Sequence, residues 1–445
     1  MISLMLALVS IARNVLLFEG CLHYFLFGGA LNSCPFFADV AHIPAQVTIY
    51  ALYLSVALLK DGGAPHYRSA SAREDLQRNL RNVAVPGTGV PLSLFVYNRF
   101  TMYVFVALLY PLLCLVSAFS FTVPNWAGLS TEFGRILLCS VGSHAGKEGG
   151  RAGPATWFTL WQINCRVSAL HYLGSRDKAY ALENKWAFLT AAQDAGAPVS
   201  PWLDLDGVVL KDKNEEGGLG VFFFRNATHG GKWIIQPVLR NASELAALLP
   251  ADAPLSTFRV VTASRRCVSD QMRSTGAGLL GALSVTNNSS HKSERASLFF
   301  VVCMAFRAGR AGAATDHDAI LFDVEDASGK IGIGHSNAHW YKLGMAGLRG
   351  AWRMNEQFWQ HPDSNVLIAG VDVADHVSQM KAECLRLHER LMPTIPLVGW
   401  DVALTPDGML FLEANLSCNF FMATVNMTQY FQFVYEVFVA NEYNQ

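Results

Sequence analysis

The sequence predicts an α+β domain preceded by a helical, membrane-associated region, and three observations carry that expectation. Long apolar runs are concentrated before residue 125, whereas strand and helix patterns interleave after residue 155 without a strict βαβ repeat. A glycine-rich stretch, residues 140–154 (SVGSHAGKEGGRAGP), separates the two. Near the C-terminus, residues 397–417 (LVGWDVALTPDGMLFLEANLS) read as a hairpin carrying opposed carboxylates.

Composition narrows the classes. Charged residues make up 16% of the 445-residue chain and the formal net charge is −1. The charged share in ordinary soluble proteins is roughly a quarter. Without a basic stripe or cluster, nucleic acid is excluded as a main partner. The 9 cysteines are scattered and lack CxxC spacing. That excludes a disulfide framework or a zinc finger and suits reduced thiols in a domain facing the cytosol or a similar compartment. Sequons begin at Asn226, Asn241, Asn287, Asn288, Asn415 and Asn426. Such triplets arise often by chance and do not place the domain in a lumen.

Met102–Val123 contains no charged residue, and at about 1.5 Å per residue it is long enough to span a hydrocarbon core. Tyr103, Tyr110 and Trp126 suit interfacial positions at its ends. Two further candidate transmembrane helices lie near 40–59, weakened by His42, Pro44 and Gln46, and near 1–31, interrupted by Arg13 and Glu19. In the loop from Lys60 to Arg99, Lys60, Arg68, Arg73, Arg78, Arg81 and Arg99 outnumber Asp61, Glu74 and Asp75, which points that segment to the cytosol. A single crossing by 102–123 would then put the following domain on the far side.

Residues 155–173 carry Trp157, Leu160, Trp161, Asn164, Val167 and Leu170 at helical spacing, a docking helix. A second helix covers 183–195 and ends at Gly196. Strands follow at 207–211, 220–224, 233–236, 258–262, 298–307 and 320–324, with a polar insertion at 267–294, and 374–391 is a helix.

Thr405-Pro406-Asp407-Gly408 is a turn: proline fixes φ at one corner and glycine supplies the left-handed position. Read as a three-residue loop, it pairs Thr405 with Met409 and sets Asp401 opposite Glu413. Asn415 joins their face and Leu412 points to the other. Opposed carboxylates repel unless a cation lies between them, and Asp, Glu and an amide oxygen are hard ligands that suit Mg²⁺ or Mn²⁺. His335 and His339 have metal-ligand spacing, but Gly332 and Gly334 favour a loop over a helix there.

At these residues the chain resembles the ATP-grasp superfamily, and VGWDVALTPDG…LEAN is closest to its α-L-glutamate ligase-related, sugar-transfer-associated group. The likeness covers roughly residues 168–417, including ENKWAFLTAAQDAGAPVSP, VVLKDKNEEGGLGV, WIIQPVL and STFRVVT. It implies two α+β subdomains clasping ATP. It implies that Asp401, Glu413 and Asn415 bind metal, and that Lys185 and Lys211 contact phosphates. Gly217, Gly218 and Gly220 would let backbone amides approach them, and a hinge from Gln236 to Val238 would meet the adenine. Arg259 would stabilise the transferring phosphoryl group. Departures are Asp212 and Lys213 after the strand lysine, Gly399 where related ligases carry arginine, and no Pro-Gly after Asn415.

The resemblance implies a Mg-ATP-dependent ligase that activates a small-molecule or peptide carboxylate and transfers it to an amine or thiol. The alternatives are a non-catalytic membrane-bound nucleotide sensor or scaffold on the same fold, and a small-molecule kinase.

Overall fold

The computed structural model describes every residue except 1, 32, 35–41, 61–62, 82, 86–87, 123–124, 139–153, 215–218, 269–297, 316–317, 337–355, 418–424 and 443–445. The apolar runs near the N-terminus become helices. Helix α1 (Ile2–Phe27) is one long rod. Helix α2 (Ile43–Ala57) opens with Pro44 in its first turn, where a missing N–H leaves no gap in the ladder. Helix α3 (Ala72–Asn79) is capped by Ser71, which accepts from the Glu74 amide. Helices α4 (Arg99–Val104) and α5 (Tyr110–Thr122) flank a π turn at Phe105–Leu109, next to Pro111. Helix α6 (Trp126–Leu137) then doubles back on α5, and α7 (Pro154–Ser175) follows.

Two of these stretches, Ser3–Phe27 and Arg99–Phe119, are long and apolar enough to cross a membrane. The third expected span is not lipid-facing. Helix α2 is shorter and buried almost along its whole length between α1, α7 and the C-terminal helix. It is apolar because it is the centre of the helical body.

That body reaches past the glycine-rich stretch. Ser55 Oγ donates to Gln162 Oε1 at 2.7 Å, and Tyr110 and Thr159 join their hydroxyls at 2.7 Å, so α7 docks as expected. Helix α8 (Lys185–Asp194), helix α9 (Ala374–Leu391) and helix α10 (Met427–Ala440) follow in the chain. Helix α10 returns to the N-terminal helices, with Tyr430 donating to Asn164 Oδ1 at 2.7 Å and Phe438 edge-on to Tyr50.

The β structure is in two parts. Strands β1 (Gly207–Lys211) and β2 (Val221–Arg225) make a small antiparallel pair. Strands β3 (Thr257–Ser264), β4 (Phe299–Ala308), β5 (Ile320–Val324), β6 (Ile331–His335), β7 (Gln357–Phe358), β8 (Leu397–Thr405) and β9 (Gly408–Asn415) form an antiparallel sheet of order β7-β6-β5-β4-β3-β8-β9. Strand alternation sorts its residues. Phe258, Val260, Met304, Phe306, Phe322, Trp400 and Val402 are buried in one core with Val377, Met380, Cys384 and Leu387 of α9. Arg259, Arg307 and Asp401 lie on the opposite face.

Three local expectations change. Residues 233–236 form no strand: one bridge from Trp233 to Asn226 and the Leu203 amide bonded to the Ile235 carbonyl hold the segment, and Pro237 cannot donate to a ladder. The expected first α+β subdomain is, among the described residues, only the β1–β2 pair and a 3-10 turn at Ala227–His229. With no helix over it, Leu210, Phe222 and Phe223 stay exposed. Residues 331–335 are a strand, not a loop, and Gly334 is required there, since a Cβ would come within 2.8 Å of Ile320 and Phe322. His339 lies outside the described residues.

Candidate functional site

The hairpin β8–β9 places Asp401 opposite Glu413 and Gly399 opposite Asn415, but by a different route from the one expected. The chain turns in two residues, Pro406 and Asp407, so Thr405 pairs with Gly408, whose φ of +110° suits glycine. Val402 pairs with Phe411 and Asp401 with Glu413, leaving Leu412 as an extra bulged residue. The shorter loop and the bulge offset each other. The bulge also breaks the alternation of β9: Met409, Phe411 and Ala414 are buried while Leu412 is half-buried.

Arg259 is paired directly with Asp401 across β3 and β8. Its guanidinium grips the carboxylate with two bonds, Nε to Oδ1 at 2.5 Å and Nη2 to Oδ2 at 3.0 Å. Arg307 reaches the same carboxylate from β4, Nη1 to Oδ2 at 3.2 Å. Burial alone would push the Asp401 carboxyl up, but the Arg259 and Arg307 charges outweigh it and hold the group below the usual carboxylate range.

Glu413 has its own cation. Asn184 caps α8 by accepting from the Trp186 and Ala187 amides, which fixes the next residue, Lys185. Lys185 Nζ lies 2.6 Å from Glu413 Oε2. Asn415 Nδ2 donates to Glu413 Oε1 at 3.2 Å. The repulsion between the opposed carboxylates is therefore answered by protein cations, and does not by itself call for a metal. A divalent ion would find hard donors in Asp401, Glu413 and the Asn415 amide oxygen, a set that suits magnesium. Among the described residues, no cluster of three or more His, Cys, Asp or Glu side chains gathers as a metal site.

The other expected residues are more scattered. Lys211 ends the exposed strand β1, apart from the large sheet. Gly217 and Gly218 lie outside the described residues. Gly220, at φ +66°, closes the β1–β2 turn by accepting from the Asp212 amide at 3.0 Å. Gln236 donates to Ser200 Oγ at 2.9 Å and to the Pro201 carbonyl at 3.2 Å, while Val238 is 94% exposed.

Arg307 was not among the expected site residues. Its signal was present: it lies in an expected strand, and an antiparallel neighbour of β3 can bring an arginine onto the Arg259 face. A second unexpected feature adjoins the site. Arg68 binds Asp75 through Nε and Nη2 at 2.9 and 3.1 Å, and Glu183 through Nη1 at 3.3 Å. Glu183 in turn accepts from the amide of Leu416, next after Asn415, at 3.1 Å.

Comparisons with family models, with curated proteins and with solved structures find nothing that matches this chain.

Proposed function

We propose that this chain is a membrane-associated ligase of the ATP-grasp type, which uses Mg-ATP to activate a carboxylate and passes the acyl group to an amine or thiol. One observation carries the reading: Lys185, Arg259 and Arg307 converge with Asp401 and Glu413 at one face of an antiparallel sheet. Phosphoryl transfer needs alignment and neutralisation of moving charge more than covalent help from protein. An oxygen of the substrate carboxylate attacks the γ-phosphorus, the bond to the β,γ-bridging oxygen breaks, and ADP leaves with its electrons. The amine or thiol then attacks the acyl carbon, loses its proton, and inorganic phosphate departs.

In this reading Arg259 and Arg307 turn from Asp401 toward the phosphoryl oxygens, and Lys185 turns from Glu413. Lys211, on the uncovered β1–β2 pair, reaches the triphosphate as that pair closes, and the segment from Gln236 to Val238 borders the base. Asp401, Glu413 and Asn415 would hold magnesium, which neutralises the triphosphate. The sheet faces the cytosol, where ATP is abundant.

The test is thermal unfolding of the full-length protein in detergent. Mg-ATP should raise the melting temperature by mass action, and ATP with a chelator should not. Equal stabilisation in both conditions, or none in either, overturns the reading. A second reading, a nucleotide sensor without turnover, is favoured by the carboxylates' being already neutralised by protein cations. It predicts Mg-ATP binding with no ADP released in the presence of any carboxylate and amine pair.

A further inference from the structure

The helical body carries a protruding tip with a definite polarity. Helix α1 runs antiparallel to α4 and α5: His23 bonds Tyr103 of α4 at 2.6 Å, and Phe18 meets Tyr110 at the start of α5. Helix α6 turns back beside α1, where a Cβ on Gly134 would come within 2.7 Å of Asn14. The chain thus goes out along α5 and returns along α6.

The parts on either side of this excursion touch each other. Tyr67 packs on Tyr180 with ring centres 4.4 Å apart, and Arg68 pairs with Glu183. A single crossing by Arg99–Phe119 would put these contacting residues on opposite sides of a bilayer.

Exposure along α1 is uneven. Met5, Leu6, Leu8 and Val9 are exposed in its first half, where Ala7 is the one buried side chain described; in its second half Phe18, Cys21, Leu22 and Phe25 are buried, and Leu16 and Phe27 stay exposed. At the same end, Val116, Phe119 and Trp126 are exposed on α5 and α6. Arg13 is exposed midway along α1. If Ser3–Phe27 crossed completely, Arg13 would lie near the bilayer midplane, the costliest depth for a charge. The stretch from Ile2 to Arg13 is about 16 Å of helix, close to the roughly 15 Å of hydrocarbon in one leaflet. Glu132 and Arg135 of α6, bonded at 2.5 and 2.9 Å, flank Gly134 and so lie near the level of Asn14.

We propose that the tip formed by the first half of α1, the end of α5 and the start of α6 inserts into a single leaflet and leaves by the face it entered. Arg13, Glu132 and Arg135 then sit among the headgroups, and the described residues of 60–98 and 155–442 share the aqueous side. The occupant of the exposed apolar surface is lipid. This rests on the membrane reading of the apolar helices and is independent of ATP chemistry.

The test adds full-length Met5→Cys, Ala127→Cys, Arg81→Cys and Asn214→Cys variants from dilute detergent to preformed, sealed phosphatidylcholine–phosphatidylglycerol vesicles. The seven described native cysteines are all buried, so the unsubstituted protein sets the background. An impermeant maleimide outside should label positions 81 and 214 in full, and positions 5 and 127 only after the vesicles are dissolved. A fluorophore at 5 or 127 should be quenched by lipids carrying a nitroxide on the acyl chain. Labelling of position 5 or 127 by maleimide sealed inside the vesicles would overturn single-leaflet insertion while leaving membrane association standing. Protein that stays in solution as a dimer, without vesicles, would overturn both.

Discussion

Asp401 and Glu413 are chemically alike and face each other, yet the structure gives them different weights. Asp401 is buried and holds two guanidiniums that are themselves mostly buried. Replacing it with Asn would take its charge away from both arginines, and removing one partner of a buried ion pair costs about 3–5 kcal/mol. Glu413→Gln breaks a pair whose lysine is 66% exposed, where water screens the interaction, and the loss should stay below about 1 kcal/mol. Urea unfolding of the two variants separates them, and equal losses would mean that Arg259 and Arg307 do not depend on Asp401. The bulge makes a second contrast. Leu412→Gln should be nearly neutral, whereas Phe411→Ala should cost about 3–5 kcal/mol through the cavity it leaves. The turn dipeptide made a hairpin legible in the sequence, and with it the Asp401–Glu413 pairing. The two-residue loop and the bulge were not legible, because they cancel at the Asp401–Glu413 pair. The strand that holds Arg307 is legible too, but that it pairs with β3 is a tertiary fact that no local pattern contains.

At the scale of elements, the most legible were those whose pattern and neighbours agree. The span expected for α9, 374–391, is the one observed, and so is β5 at 320–324. Helix α9 repeats its apolar residues at helical spacing and lays them on the sheet. Its one buried polar side chain, His388, completes a relay. Trp400 Nε1 donates to Thr262 Oγ1 at 2.8 Å, Thr262 and His388 Nδ1 are 2.8 Å apart, and His388 Nε2 lies 2.9 Å from the Ile395 carbonyl. With Nε2 donating to that carbonyl, Nδ1 accepts from the threonine, and every member is satisfied. The relay ties α9 to the adjacent strands β3 and β8, which carry Arg259 and Asp401 on their other face. His388→Leu keeps volume but orphans the Thr262 hydroxyl and the Ile395 carbonyl, at about 1–3 kcal/mol each. Thr262→Val removes one of those orphans but leaves the Trp400 Nε1–H without its acceptor, so the double variant should lose less than the sum of the two single losses rather than return to the native value. Additive losses, measured by denaturant midpoint, would show that the two side chains do not interact. Helix α2 was misread for the converse reason: a helix buried among other helices and a lipid-facing span are both apolar all round.

For the molecule as a whole, histidines buried in both cores set the response to acid. His66 on the segment before α4, His171 on α7 and His388 on α9 are each buried, and burial lowers each to about 4. At His66 the nearby Asp75 carboxylate, 3.4 Å away, partly opposes the shift, and Arg68 and Arg166 add to it. At His171 the partner is the Tyr180 hydroxyl, 3.0 Å from Nδ1. In the unfolded chain such a histidine titrates near about 6.5. Between that value and 4, the unfolded state binds protons that the folded state refuses, so stability falls as the pH drops through this window. Below 4 the folded histidines also charge and their contribution levels off. Asp363 has the opposite shift: its bond to Arg310 holds it down to about 2. Its contribution is intact above the unfolded carboxylate value and fades only as the pH falls toward 2, which separates it from the histidine window. The expected curve in detergent is thus a decline that begins near pH 6.5. Each histidine steepens it by at most about 1.4 kcal/mol per pH unit. His171→Gln should remove one such increment, making the slope between pH 6 and 4.5 shallower even if the variant is less stable at pH 7. A native profile that stays flat from 7 to 4.5 and falls only below that would show that these three histidines are not buried in the folded protein.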